Sequence, residues 1–125
     1  MDPILFFVVA VGGGIGAFLR HLISILMEKC YKKTFPLAVL VINCLGCMIF
    51  AIITHIPKTA NISEKTIRFV TTGFCGGFST WSTLQSQTIK LHKAGSHFIA
   101  AMNLATNHIL GYIFAIFGAF IGKKL

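Results

Sequence analysis

The chain has 125 residues, 55% of them hydrophobic and only 11% charged, with a mean hydropathy of +0.81. A water-soluble domain carries about 25% charged residues, so this composition excludes a water-facing surface over most of the chain and points to the membrane class. The net charge of +8 is spread through short loops and not gathered on one face, which argues against nucleic acid as a partner and for lipid head groups and the topology code.

A helix needs roughly 20 apolar residues to cross the hydrocarbon core, and four stretches qualify: about 4–27, 35–56, 67–89 and 98–121. The first opens with an unbroken apolar or glycine run over residues 4–19 and carries Gly12 and Gly16 at the spacing that lets helices approach closely. It does not read as a signal peptide, because Met1-Asp2-Pro3 supplies no basic region and Arg20-His21 comes after the apolar run. Arg20 is a cation that either snorkels to the interface or draws an anion into a vestibule.

The second stretch is interrupted by Asn43 near its middle, with Gly46 three residues on. Cys44 and Cys47 form a CxxC there, but no second pair of ligands lies nearby, so they read as small, polarizable packing residues. The third stretch is the most polar, with hydroxyls or amides at Thr71, Thr72, Ser79, Thr80, Ser82, Thr83, Gln85, Ser86, Gln87 and Thr88. The fourth places Asn103, Asn107 and Gly111 on one helical face, and Gly118 and Gly122 four residues apart. Strands of a barrel would alternate apolar and polar residues; these runs do not. The expected architecture is an all-α membrane protein, one domain over residues 1–125 with four transmembrane helices. Its polar residues either converge on a hydrated pathway or share a hydrogen-bonded interface.

Residues 73–83, GFCGGFSTWST, predict a break in the third helix, since Gly73, Gly76 and Gly77 supply backbone conformations that other residues avoid. Unwound backbone at membrane depth survives only where it lines a cavity or is buried in protein, and its freed carbonyls can coordinate a cation.

The charges bear on orientation. Lys29, Lys32, Lys33, Lys90 and Lys93 fall on one side of the membrane, and Lys58, Lys65, Arg68, Lys123 and Lys124 on the other. Arg20, inside the first stretch near its loop end, makes the count six against five. Orientation follows an excess of Lys and Arg in cytoplasmic loops, and so small a difference selects neither, so the expectation is insertion in both orientations and an antiparallel, dual-topology dimer. Only Asp2, Glu28 and Glu64 are acidic, all at termini or helix ends. That leaves no mid-membrane carboxylate for proton coupling, and no carboxylate pair or Ser-His-Asp set for an enzyme.

At these residues the sequence resembles the Fluc (CrcB) fluoride channels, through nearly the whole chain. GGGIGAFLRH (residues 12–21) is similar to the family's glycine-rich first span ending in arginine. Pro36 followed by Asn43 and Gly46 resembles the second-span signature, and residues 73–83 resemble the third. The resemblance implies passive export of fluoride across a prokaryotic inner membrane by a dual-topology dimer with two antiparallel pores. It also implies a sodium ion at the dimer centre, held by backbone carbonyls carried over to Gly76 and Ser79. The pore residues it implies are Asn43, Trp81, Ser82, Thr83, Leu84 and Tyr112, with Arg20 at a vestibule.

The pattern is not followed everywhere. Trp81 and Leu84 stand where the family has phenylalanines, Gln87 where glutamate is common, and Ala38-Val39 where Gly-Thr follows the proline. These departures raise a paralogous pair, in which this chain is a non-conducting partner subunit, beside the antiparallel homodimer. A small multidrug-type dual-topology exporter is the alternative of another class, and it needs a membrane-embedded acid that this chain lacks.

Overall fold

The computed structural model describes residues 2–125, and every regular element among them is helical. α1 (Pro3–Cys30) starts where Asp2 Oδ1 accepts from the Ile4 N–H at 3.0 Å and Pro3 occupies the first turn. It ends at the extended Tyr31, whose N–H closes on the Met27 carbonyl. α2 (Leu37–His55) stops at Ile56, which the following Pro57 holds in the extended region.

A 3₁₀ turn (Lys58–Ala60) leads to α3 (Glu64–Arg68), capped by Ser63 Oγ accepting from the Thr66 N–H. α3 runs into a π-helical segment (Phe69–Cys75) and then α4 (Gly76–Phe78) with helical dihedrals at both junctions. Ser79 and Thr80 then leave the helix, with φ/ψ of −76°/151° and −144°/111°. α5 (Trp81–Lys93) begins directly after them, with Thr80 Oγ1 accepting from the Thr83 N–H as its cap. α6 (His97–Lys124) closes the chain.

α1, α2 and α6 are long and apolar enough to cross a membrane. Their outer faces remain apolar, with Phe6, Phe7, Phe117 and Phe120 exposed, as lipid contact requires. The expected third span falls into two pieces, Glu64–Phe78 and Trp81–Lys93, joined by the two extended residues.

Two pairs of helices pack through small residues. α1 lies on the π segment and α4, and α2 lies along α6. A Cβ on Gly12 would sit 2.6 Å from the Phe69 carbonyl oxygen, and one on Gly73 2.7 Å from that of Val9. Gly16 and Gly77 are closed in by the carbonyls of Phe74 and Gly13. On the other pair, a Cβ on Gly118 would come 2.5 Å from the Met48 carbonyl oxygen. Backbones therefore touch where the sequence expected close approach.

The same observations correct the expected position of the opening. Gly73 lies inside the π-helical segment, while Gly76 and Gly77 lie in α4. Gly73 and Gly77 are there because α1 leaves no room for a side chain. The residues that unwind are Ser79 and Thr80.

Candidate functional site

The extended pair sits where α2, α5 and α6 meet, and a chain of amides holds it. Asn43 Oδ1 accepts from the Thr80 N–H at 3.0 Å, and its Nδ2 donates to the Thr80 carbonyl at 3.4 Å and to Asn107 Oδ1 at 3.0 Å. Asn107 Nδ2 donates on to Asn103, to its carbonyl at 2.8 Å and its Oδ1 at 3.1 Å. Asn103 Nδ2 donates to Thr88 Oγ1 at 3.0 Å, and Thr88 Oγ1 donates to the Leu84 carbonyl at 2.8 Å. Buried polar groups need partners, and this ladder satisfies them from α2 through α6 back to α5.

Thr80 matters for a second reason. In a continuing helix its N–H would reach back to the Gly76 carbonyl, but here it is taken by Asn43. The last carbonyls of α4 are therefore left without the usual helical partners. They are neutral, hard oxygen donors, the kind that suits sodium. Gly76 is exposed, and nothing lies within 4 Å of where its Cβ would stand, so the chain leaves room there for the ion that the resemblance implies.

A groove of about 430 Å³ opens over the ladder, lined by Asn43, Thr80, Trp81, Leu84, Asn107 and Tyr112 among others. A second cavity of about 620 Å³, lined by Gly46, Thr71, Cys75 and Gly76, adjoins it, and Ser79 and Cys47 line both. Gly46 has no Cβ because the Ser79 hydroxyl occupies that space. No Asp, Glu, Lys or Arg is among the residues lining either cavity. Their polar groups are amides, hydroxyls, thiols, an indole and imidazoles.

Of the expected pore residues, Asn43, Trp81, Leu84 and Tyr112 meet at the first groove. Trp81 and Tyr112 are 61% and 71% exposed, whereas Leu84 is only 2% exposed and packs as core. Ser82 and Thr83 are on the first turn of α5 but do not line the groove; Thr83 Oγ1 accepts from Thr80 Oγ1 at 2.9 Å. Arg20 is half-buried on α1, a helix that lends neither cavity a lining residue.

Three participants were not singled out as site residues from the sequence. Thr80 and Asn107 were visible as polar positions at membrane depth, and His108 only as a polar residue of the fourth stretch. The His108 ring stands perpendicular to Trp81 with centroids 5.3 Å apart, and its Nδ1 bonds the Leu104 carbonyl at 2.7 Å. Gln87 lies outside the groove; its Oε1 is buried without a partner beside a small cavity of about 120 Å³.

Comparison with known proteins adds an independent line. The family model described as CrcB-like protein, Camphor Resistance (CrcB), matches residues 7–119. A fluoride-specific ion channel, FluC, of Clostridium novyi is 39% identical over 121 residues, covering 96% of this chain and 94% of that one. The protein of the same name from Shewanella woodyi is 34% identical over 125 residues, 100% of this chain and 96% of its own. That from Azobacteroides pseudotrichonymphae is 34% identical over 113 residues, 90% of each chain.

Proposed function

The chain belongs to the CrcB-like family, and from that membership we propose that it is a fluoride-selective channel through which fluoride leaves the cell passively, down its gradient. The observation that carries the reading is similarity along nearly the whole chain to proteins named for fluoride-specific conduction. It is a channel and not an enzyme, embedded in a prokaryotic membrane through several apolar helices.

The groove suits the task electrostatically. A small anion entering it meets no carboxylate, and it exchanges water for N–H and O–H donors and the positive edges of aromatic rings. Asn43 is the central donor in this reading, and both of its amide hydrogens already serve protein acceptors. Fluoride at this point competes with Asn107 Oδ1 and the Thr80 carbonyl for the same donors. Binding is therefore an exchange of acceptors, which keeps it loose enough for the ion to leave. Trp81 and Tyr112 line the groove and are exposed, while Ser82, Thr83 and Arg20 lie outside its lining.

The finer architecture is part of the same proposal. Four spans, the third opened at Ser79 and Thr80, assemble as an antiparallel dual-topology homodimer, supported by the near-even, six-to-five division of Lys and Arg that these spans give. The Gly76 and Ser79 carbonyls of the two copies would hold sodium, which would supply a fixed positive charge there.

Purified protein in liposomes loaded with fluoride, and separately with chloride, tests the reading. Fluoride efflux recorded at an electrode, with chloride retained, is the expected result. Equal passage of both ions would overturn selectivity, and silence relieved only by a second, paralogous subunit would replace the homodimer with a pair.

A further inference from the structure

The turn from α5 to α6 brings two imidazoles face to face. Ser96 N–H reaches the Leu91 carbonyl at 2.9 Å and Gly95 N–H the His92 carbonyl at 3.1 Å, with Gly95 at φ 85°. This is a Schellman closure, which needs a residue able to adopt the left-handed conformation. It folds His97, the first residue of α6, back over His92 near the end of α5. Their Nδ1 atoms stand 2.8 Å apart and their ring centroids 4.4 Å apart, and both residues are exposed.

One neutral imidazole donating its Nδ1–H to the lone pair of the other accounts for that separation, and a metal ion taking the place of that hydrogen would have both nitrogens as ligands. Metal geometry makes the distance informative. Nitrogens each about 2.0 Å from a metal are about 2.8 Å apart when they subtend a right angle, and about 3.3 Å apart in a tetrahedron. The pair therefore has the bite of neighbouring positions in a square-planar or tetragonal site.

We propose that His92 and His97 form a two-imidazole chelate for Cu(II), and more weakly Ni(II), at the α5–α6 turn. Imidazole nitrogen suits these ions. Among the described residues no cluster of three or more His, Cys, Asp or Glu could hold a metal, so water completes the coordination. The chain's acids (Asp2, Glu28 and Glu64) lie on other elements, which leaves hard, oxygen-seeking cations without a carboxylate ligand. Lys90 and Lys93 on the same turn oppose a cation and keep the affinity modest. A bound ion would staple the turn and with it the α5–α6 hairpin. The site is remote from the groove and does not depend on the transport reading.

Full-length, tag-free protein in detergent, titrated with Cu²⁺, gives the test. One ion per chain with two nitrogens in its electron paramagnetic resonance spectrum is expected. His92→Gln and His97→Gln should each lower affinity by about 100-fold, because either change removes the chelate. The double variant His21→Gln/His55→Gln should bind as the wild type does. A wild-type spectrum with one nitrogen or none, either single variant retaining full affinity, or loss of binding in the His21/His55 variant would overturn the site.

Discussion

Asn43 closes both backbone polar groups of Thr80: its Oδ1 accepts from the Thr80 N–H at 3.0 Å and its Nδ2 donates to the Thr80 carbonyl at 3.4 Å. A side chain on α2 thus does for an extended residue what a strand partner or water would do elsewhere. Thr80 is buried, and buried backbone groups need partners, so the two residues need each other.

Replacing Asn43 by alanine removes both contacts and the bond to Asn107. Leaving buried donors and acceptors unpaired costs about 1–3 kcal/mol each, although single hydrogen bonds within membranes average about 0.6 kcal/mol. We expect Asn43→Ala to lose about 2 kcal/mol of unfolding free energy, followed by the fluorescence of Trp81, the chain's one tryptophan. Fluoride flux should fall to that of empty liposomes. Wild-type stability in this variant would show that Thr80 does not depend on Asn43, and retained flux would remove Asn43 from the path.

Trp81 and Leu84 share a groove but differ in burial, 61% against 2% exposed, and we expect their substitutions to act differently. Leu84→Ala empties a packed position and should destabilise by about 2–5 kcal/mol. Trp81→Phe should stay within about 0.5 kcal/mol of wild type, as exposed substitutions do, while altering fluoride flux through the lost N–H donor. Thermal unfolding followed by circular dichroism, with flux measured in parallel, distinguishes the two. A destabilised Trp81→Phe, or a Leu84→Ala as stable as wild type, would reverse the assignment.

Much of this arrangement was open to reading from the residues. The apolar runs place α1, α2 and α6 because 3.6-residue periodicity and length act locally. Asn103, Asn107 and Gly111 share a face for the same reason, and all three are buried. The opening in the third rod was misplaced by a few residues because glycine has two uses that composition does not separate, unusual dihedrals and small size. At Gly73 and Gly77 size decides, and only the position of α1 reveals it. Likewise nothing local to Thr80 says that Asn43, thirty-seven residues earlier, will complete its hydrogen bonds.

The glycine reading has its own test. Gly16→Val and Gly77→Val each drive side-chain atoms into a carbonyl of the facing helix, those of Phe74 and Gly13. Backbone cannot yield as a flexible side chain can, so we expect both to lose the α1 packing and to elute as aggregate on size exclusion. Gly76→Ala meets nothing within 4 Å of its own chain and should fold and elute as wild type. Any loss of function in Gly76→Ala would then lie in what surrounds the chain, as the sodium proposal requires. Aggregation of Gly76→Ala, or normal elution of both valine variants, would refute the packing argument.

Orientation in the membrane can be read from Cys30, the exposed thiol at the end of α1, with Cys44 and Cys75 buried. Cys47, half-buried, is best replaced by alanine so that it does not contribute. With Lys and Arg divided six to five between the two faces that the proposed four spans give, neither orientation gains appreciably from the loop charges. A membrane-impermeant maleimide applied to intact cells should therefore label roughly half of the Cys30 population, and all of it after permeabilisation. Two extra lysines in the loop that holds Lys32 and Lys33 should drive that loop to the cytoplasm and protect Cys30 almost completely. If antiparallel pairing is required, this biased chain is silent alone and recovers flux when co-expressed with one biased the opposite way. Complete labelling, or complete protection, of the unmodified chain would rule out dual insertion, and flux from a single biased chain would rule out the need for an inverted partner.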